Sequence, residues 1–240
     1  MAEKEISIIL PAYNEASRIE RCIREVTRAA CSFSSSYEII VAEDGSTDDT
    51  AQIVETMAQS NQQIRLLHSP ARLGKGKAVK KALASAKGDV VVFMDVDLAT
   101  SLRYLPQIVK IAQENRGMAI GSRHVRGSKV QRRFSRTISS LTYNLFVRLL
   151  FRDGVHDHQC GFKAMSREVA RALLDKTESD GFFFDTEMIL WCKKLGFAVT
   201  EVGVEWAETS KKSGTSINLF PDAARLGMDL LRFRLNARDP

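Results

Sequence analysis

Apolar residues recur along this chain with two periods, and the switches between the periods mark out its elements. Ile6-Ser7-Ile8-Ile9-Leu10 is a β-branched run ended by Pro11, which predicts a first strand. Ile19, Cys22, Ile23, Val26 and Ala30 then fall at helical spacing, with Ser17 as cap and Glu20 completing a capping box. A second strand is predicted from Tyr37 to Ala42. A helix carrying Ile53, Val54, Met57 and Ala58 follows, capped by Ser46 or Thr47, and then a third strand from Ile64 to Leu67. Val79, Ala82, Leu83 and Ala86 mark a third helix. Val90-Val91-Val92-Phe93-Met94 is apolar without interruption and reads as a strand buried on both faces. Leu102 to Glu114 is a helix and Met118 to Ser122 a fifth strand. This alternation predicts an α/β fold with a mostly parallel central sheet flanked by helices and joined by right-handed crossovers.

Beyond Gly121 the pattern loosens. Ile138 to Phe151 is an apolar helix broken only by Arg148, and Arg167 to Leu174 is another. Asp185 is expected to cap a helix of Met188, Ile189, Trp191, Cys192 and Leu195, which Gly196 ends. Ala198 to Val204 is a strand, and Glu205 to Asn218 a polar loop with Lys211 and Lys212. In the last helix, Leu219, Ala223, Leu226, Leu230 and Phe233 form one stripe flanked by Arg225, Arg232, Arg234 and Arg238. Such a stripe either lies in a membrane interface or covers a core.

Composition narrows the partners. A formal charge of +6 favours an anionic one, without saying which. The four cysteines, Cys22, Cys31, Cys160 and Cys192, form no Cys-x-x-Cys pair, which speaks for free thiols and against a zinc ribbon or disulfide framework. The first residues lack the apolar region of a signal peptide, and no apolar run approaches the ~20 residues of a membrane span. The expectation is a cytoplasmic protein with peripheral membrane contact at most.

The candidate chemistry gathers where predicted strands end. Asp95 and Asp97 stand just past the most apolar strand, where open α/β sheets bind ligands. Two carboxylates so close repel unless a cation joins them, and Mg²⁺ or Mn²⁺ suits hard oxygen ligands. The same spacing also fits a helix cap. Strand one is followed by Pro11-Ala12-Tyr13-Asn14-Glu15, not by the glycine turn of a dinucleotide fold. The loop 68–77 is rich in glycine and lysine but lacks phosphate-loop spacing; it can still offer cations such as Lys75 to an anion. Arg123, Arg126, Lys129, Arg132, Arg133 and Arg136 form a basic run with no acid inside it. That run is either a solvated face or a clamp for an anionic acceptor. His156 and His158 read as loop residues before metal ligands.

Pro11-Ala12-Tyr13-Asn14-Glu15, Asp44-Gly45-Ser46 and Asp95-Val96-Asp97, in this order, resemble an inverting family 2 glycosyltransferase of the GT-A fold. Gly121-Ser122-Arg123, Gln159-Cys160-Gly161-Phe162-Lys163, Phe184-Asp185-Thr186-Glu187 and Glu205-Trp206 narrow the likeness to dolichyl-phosphate glucosyltransferases and mannosyltransferases, with the Gln-Cys-Gly-Phe-Lys stretch leaning toward glucose. The resemblance implies one domain: a nucleotide-sugar half at 1–122, an acceptor half at 123–218 and a terminal helix at 219–240. It implies that Pro11, Tyr13, Glu15 and Asp44 bind the base and ribose of the donor, UDP-glucose or GDP-mannose. Asn14, Gly45, Ser46, Lys75, Gln159 and Gly161 would also bind substrate. Asp95 and Asp97 would bind ribose, metal and diphosphate, and Arg123, Arg136 and Lys211 or Lys212 would position a polyprenyl or dolichyl phosphate. Asp95, Asp97, Arg123 and Arg136 are the catalytic candidates. Nucleic acid is not an expected partner. An acceptor phosphate, with a second pKa of about 6, needs no base; a sugar hydroxyl would require one, such as Asp157. The rivals are a sugar-1-phosphate nucleotidyltransferase, whose glycine-rich Arg-bearing loop after strand one is absent here, a transferase acting on a glycan or protein hydroxyl, and a basic membrane-docking module.

Overall fold

The computed structural model describes residues 4–208 and the helix at 219–236, with side chains described over 5–133, 137–208 and 226–235. Strand and helix alternate through β1 (Lys4–Ala12), α1 (Ile19–Cys31), β2 (Tyr37–Glu43), α2 (Thr50–Ser60), β3 (Ile64–His68), α3 (Lys75–Ser85) and β4 (Gly88–Met94). A short 3₁₀ turn leads into α4 (Leu105–Glu114) and β5 (Met118–Ser122). The second half adds β6 (Lys129–Gln131), α5 (Phe134–Phe151), β7 (Phe162–Ser166), α6 (Arg167–Leu174), α7 (Phe184–Lys194), β8 (Val199–Gly203), β9 (Glu205–Ala207) and α8 (Leu219–Asn236).

The main sheet has the order β3-β2-β1-β4-β7-β5-β8, and β6 pairs with β9 in a small second sheet. Every pairing in the main sheet is parallel except the two made by β7. Because successive strand residues face opposite ways, Ile8, Leu10, Ile39, Val41, Val90 and Val92 bury against α1, α2 and α4. Ile9, Ile40, Val91 and Phe93 bury against α3, α6 and α7 on the other face. Full burial of each such side chain contributes about 1.5–3 kcal/mol. This two-sided burial explains why the strands read as unbroken apolar runs.

Several expectations fail locally, each for a physical reason. β1 does not stop at Pro11 but runs to Ala12. Its pairing with β4 ends at Ile9, so the missing Pro11 donor lies past the end of that pairing. The Ser17–Glu20 capping box does not form; Arg18 holds the cap position of α1. α2 begins at Thr50, whose N–H is received by Asp48, while Ser46 and Thr47 bond to the loop after β1. Asp185 sits within the first turn of α7 and not at its cap. β7 is absent from the sequence reading because Lys163 interrupts its apolar residues. That lysine is fully buried against Asp185, a partner only the tertiary fold supplies. Of the two readings of the α8 stripe, the one in which it covers a core holds. Leu230 and Phe233 are buried, and Phe233 makes edge contacts with Phe151, Phe183 and Trp191 at 5.7, 6.0 and 5.3 Å.

Candidate active site

The carboxyl ends of β1, β2 and β4 lie side by side, and their loops are tied together. Asn14, in the left-handed region at φ 55°, receives the Thr47 N–H at 2.8 Å and donates its own N–H to Ser46 Oγ at 2.9 Å. The Glu15 N–H reaches Thr50 Oγ1. The Asp44 carboxylate receives the N–H groups of Leu73 and Gly74 at 2.6 and 3.0 Å, so it braces the loop before α3 from a nearly buried position. Gly45 carries φ +70°, and a Cβ there would stand 2.5 Å from the Ala71 carbonyl carbon. Only glycine accepts both conditions. The same loop lays the Arg72 guanidinium 4.0 Å from the centre of the Tyr13 ring.

Past β4, the Asp95 N–H donates to the Gly161 carbonyl at 2.9 Å, which locks the β4 end onto the segment entering β7. Asp95 Oδ1 receives Lys75 Nζ at 2.9 Å, and its Oδ2 lies over Gly161, where a Cβ would come within 1.9 Å. Asp97 Oδ1 receives the Ala99 N–H at 3.0 Å across Leu98, a non-glycine residue at φ 53°. Such a conformation is costly for leucine, and it turns the chain sharply at the candidate site. Asp95, Asp97, Gln159, Gly161, Arg123 and Trp206 all line one cleft.

The electrostatics mark this end of the sheet as anionic. Burial raises the Glu15 pKa; Arg18 opposes this, and Asp97, Asp48 and Asp95 add to the rise. Burial pushes the Cys22 thiol up to about 12, helped by Asp97, Glu15 and Asp95. Carboxylates that repel one another around an open cleft are the donor set a hard divalent cation relieves. Among the described residues, no three His, Cys, Asp or Glu side chains are arranged to enclose a metal by themselves. Asp95 and Asp97 are the residues that would hold such a cation, which would supply positive charge to a bound diphosphate.

The basic run is not one clamp. Arg123 is bound edge-on to Asp157, with Nε to Oδ2 at 2.7 Å and Nη2 to Oδ1 at 2.8 Å, and its own N–H adds a third contact to Oδ2. Asp157 is fully buried, which also removes it as a general base. Burial alone would push its carboxyl up; the Arg123 guanidinium overcomes this and holds it below the usual carboxylate range. Lys129 pairs with Glu205, and Arg132 stacks 5.3 Å from the centre of the Trp206 ring. The acids missing from the run in sequence thus arrive from elsewhere in the chain. His158 is buried between Asn144 and Asp153, and His156 bonds Glu201, so both histidines serve the fold. Lys211 and Lys212 lie outside the described residues, as does the side chain of Arg136.

The profile of Glycosyl transferase family 2 matches residues 7–174, from β1 to the end of α6. The chain belongs to that family. Glycosyltransferase AglD of Haloferax volcanii is 40% identical over 231 residues, covering 95% of this chain and 36% of that protein. The chain thus spans about a third of that relative. The dolichyl-phosphate beta-glucosyltransferase of Dictyostelium discoideum is 32% identical, covering 95% of this glycosyltransferase and 73% of the relative. Among solved structures, glucosyl-3-phosphoglycerate synthase of Mycobacterium tuberculosis, in complex with Mn²⁺, UDP-glucose and phosphoglyceric acid, superposes with a TM-score of 0.68. It is 21% identical and covers 95% of this chain and 79% of that one, a likeness of fold.

In this family 2 enzyme, then, Asp95, Asp97, Gln159 and Gly161 meet in one cleft, while Pro11, Tyr13, Asn14, Glu15, Gly45 and Ser46 stand at or just past the carboxyl ends of β1 and β2. Three contributors carried no role in the sequence reading. Arg72 sits among the glycines of the 68–77 loop, Trp206 lies in β9, a strand too short to announce itself, and Asp185 looks like a helix cap.

Proposed function

We propose that this enzyme transfers a hexose, glucose in preference to mannose, from a nucleotide diphosphate sugar to a polyprenyl phosphate of the dolichyl type. The observation that carries this reading is the Arg123–Asp157 pair. Asp157, the acid that the sequence offers as a base for an acceptor hydroxyl, is buried and bound through both oxygens. A phosphate acceptor has no need of it, being largely a dianion at neutral pH with a second pKa of about 6. One acceptor oxygen attacks the anomeric carbon as the bond to the diphosphate oxygen breaks. The nucleoside diphosphate departs with the electron pair, and the configuration inverts. The dolichyl-phosphate beta-glucosyltransferase relatives support the acceptor and the sugar.

The chain's own residues supply orientation. Tyr13 under Arg72 offers an aromatic face with a cation above it to the nucleotide end. Asp95, held by Lys75 and by the Gly161 carbonyl, is fixed before the donor arrives, so little reorganisation is needed during transfer. Trp206 and Arg123 line the same cleft as Asp95. Mg²⁺ or Mn²⁺, held by Asp97 with Asp95, would supply positive charge to the departing diphosphate.

No helix among the described residues is long and apolar enough to cross a membrane. The prenyl chain nevertheless calls for a lipid surface, and α5 offers one. Ile138, Leu141, Leu145, Phe146 and Leu149 are exposed along it, and Met228, Leu231 and Leu235 are exposed on α8. α5 contains no acid and is followed by Arg152, which suits an anionic bilayer.

The test is a donor and acceptor screen with radiolabelled UDP- and GDP-sugars, polyprenyl phosphate and Mn²⁺ or Mg²⁺. Label entering the lipid phase from UDP-glucose is the expected result. Label on a glycan or protein in place of the lipid overturns the acceptor; GDP-mannose as the better donor overturns the sugar.

A further inference from the structure

We propose that Asp185 is a positioning residue for the donor site, acting on Asp95 through Lys75. The inference rests on the function proposed above and gives a task to the Phe184-Asp185-Thr186-Glu187 stretch, which has none in it. Asp185 lies in the first turn of α7, with a side chain 5% exposed, and a lysine binds each of its oxygens. Oδ1 receives Lys163 Nζ at 2.5 Å; Oδ2 receives Lys75 Nζ at 3.1 Å. The same Lys75 ammonium donates to Asp95 Oδ1 at 2.9 Å. Asp95, Lys75, Asp185 and Lys163 therefore form a line of alternating charge from the cleft into the core.

Lys75 is the first residue of α3, where the helix dipole disfavours a cation. Burial disfavours it further, yet Asp185 and Asp95 outweigh burial and hold its pKa above the usual lysine value. Lys163 is fully buried, and its hydrogen-bond acceptors among the described residues are Asp185 and the Cys160 carbonyl. Asp185 thus satisfies one lysine in the core and aims the other at the site.

A second observation leads to the same lysine by a separate route. The Glu187 carboxylate receives the N–H groups of Glu178 and Ser179 at 2.9 and 2.8 Å and so pins that loop. The loop in turn holds the backbone around Lys75, since the Gly76 N–H donates to the Asp180 carbonyl at 2.9 Å. A Cβ at Gly74 or Gly76 would lie 2.3 Å from the Asp180 or Ser179 carbonyl oxygen. The first turn of α7 therefore grips Lys75 by its side chain, through Asp185, and by its backbone, through Glu187.

Asp185→Asn keeps the shape and removes the charge. Its one amide oxygen is claimed by buried Lys163, which turns the NH₂ group toward Lys75. The experiment measures UDP binding by calorimetry with Mn²⁺ present, for wild type, Asp185→Asn, Lys75→Met and the double variant, with melting temperatures alongside. Each single change is expected to weaken UDP by about tenfold, and the double variant to bind no worse than Lys75→Met alone. A purely structural Asp185 would lower the melting temperature and leave the affinity of the folded protein unmoved. Affinity within about twofold of wild type for Asp185→Asn, or losses that multiply in the double variant, overturn the inference. If Asp185→Asn does not fold, Glu187→Gln enters the same cycle with the same expectation. A wild type that binds neither UDP nor GDP brings down the proposed function and this inference with it; a wild type that binds without coupling brings down this inference alone.

Discussion

Arg123 and Asp157, which stand far apart in sequence, meet with two parallel N–H···O bonds of 2.7 and 2.8 Å at a point where the carboxylate sees no solvent. Removing one partner of such a pair strands the other charge in the core. Arg123→Ala is therefore expected to cost about 3–5 kcal/mol of stability, read from urea unfolding. An acceptor contact alone would leave the unfolding midpoint where it is and change only kinetics. The pair also fixes a pH dependence. The Asp157 pKa is depressed in the folded state, so its contribution is complete above the unfolded value of about 3.9. It is lost as pH falls through the lower folded value. Asp157→Asn should flatten that acid limb of the stability curve.

Gly161→Ala isolates the aim of Asp95. The added Cβ would meet the whole Asp95 carboxyl, with Oδ2 at 1.9 Å and Cγ at 2.3 Å, so this half-exposed side chain must rotate and give up its bond to Lys75. Melting should change little while turnover falls by at least about tenfold, the cost of roughly 1.4 kcal/mol in transition-state stabilisation. Unchanged turnover would mean that the position of Asp95 is immaterial.

Asp97→Ala removes the hydrogen bond from the Ala99 N–H, worth about 1 kcal/mol, and should leave a folded protein. Turnover is expected to fall by about 10²–10³-fold, the scale seen when a single transition-state charge stabiliser is lost. Mn²⁺ should no longer strengthen UDP binding in this variant. Near-wild-type rates, or full wild-type activity in saturating EDTA, would refute the metal assignment.

Membrane attachment should follow the exposed face of α5 and not the buried stripe of α8. Leu145→Asp with Leu149→Asp is expected to reduce co-sedimentation with anionic vesicles, since both side chains are exposed, at 54% and 70%. Binding should weaken with salt, each basic residue near the surface contributing about 1 kcal/mol. Ending the chain at Asn218 should destabilise the fold, because Leu230 and Phe233 are part of a core. Wild type that ignores anionic vesicles at low salt would refute the surface.

Much of this enzyme is legible in the order of its residues. The strand–helix alternation through β5, the acids at the ends of β2 and β4, and the family resemblance all follow from local pattern, because a strand buried on both faces must be apolar and must end in solvent. The parts that escaped depend on contacts between distant segments. Lys163 hides β7 until Asp185 stands beside it. Arg123 reads as free until Asp157 comes within reach, and the α8 stripe fits a membrane interface as well as a core until α5 and α7 are seen to pack on it. Sequence fixes which charges and apolar groups are present. Whether a charge is available to a substrate depends on the partner it meets inside, since burying it unpaired costs far more than any local preference can supply.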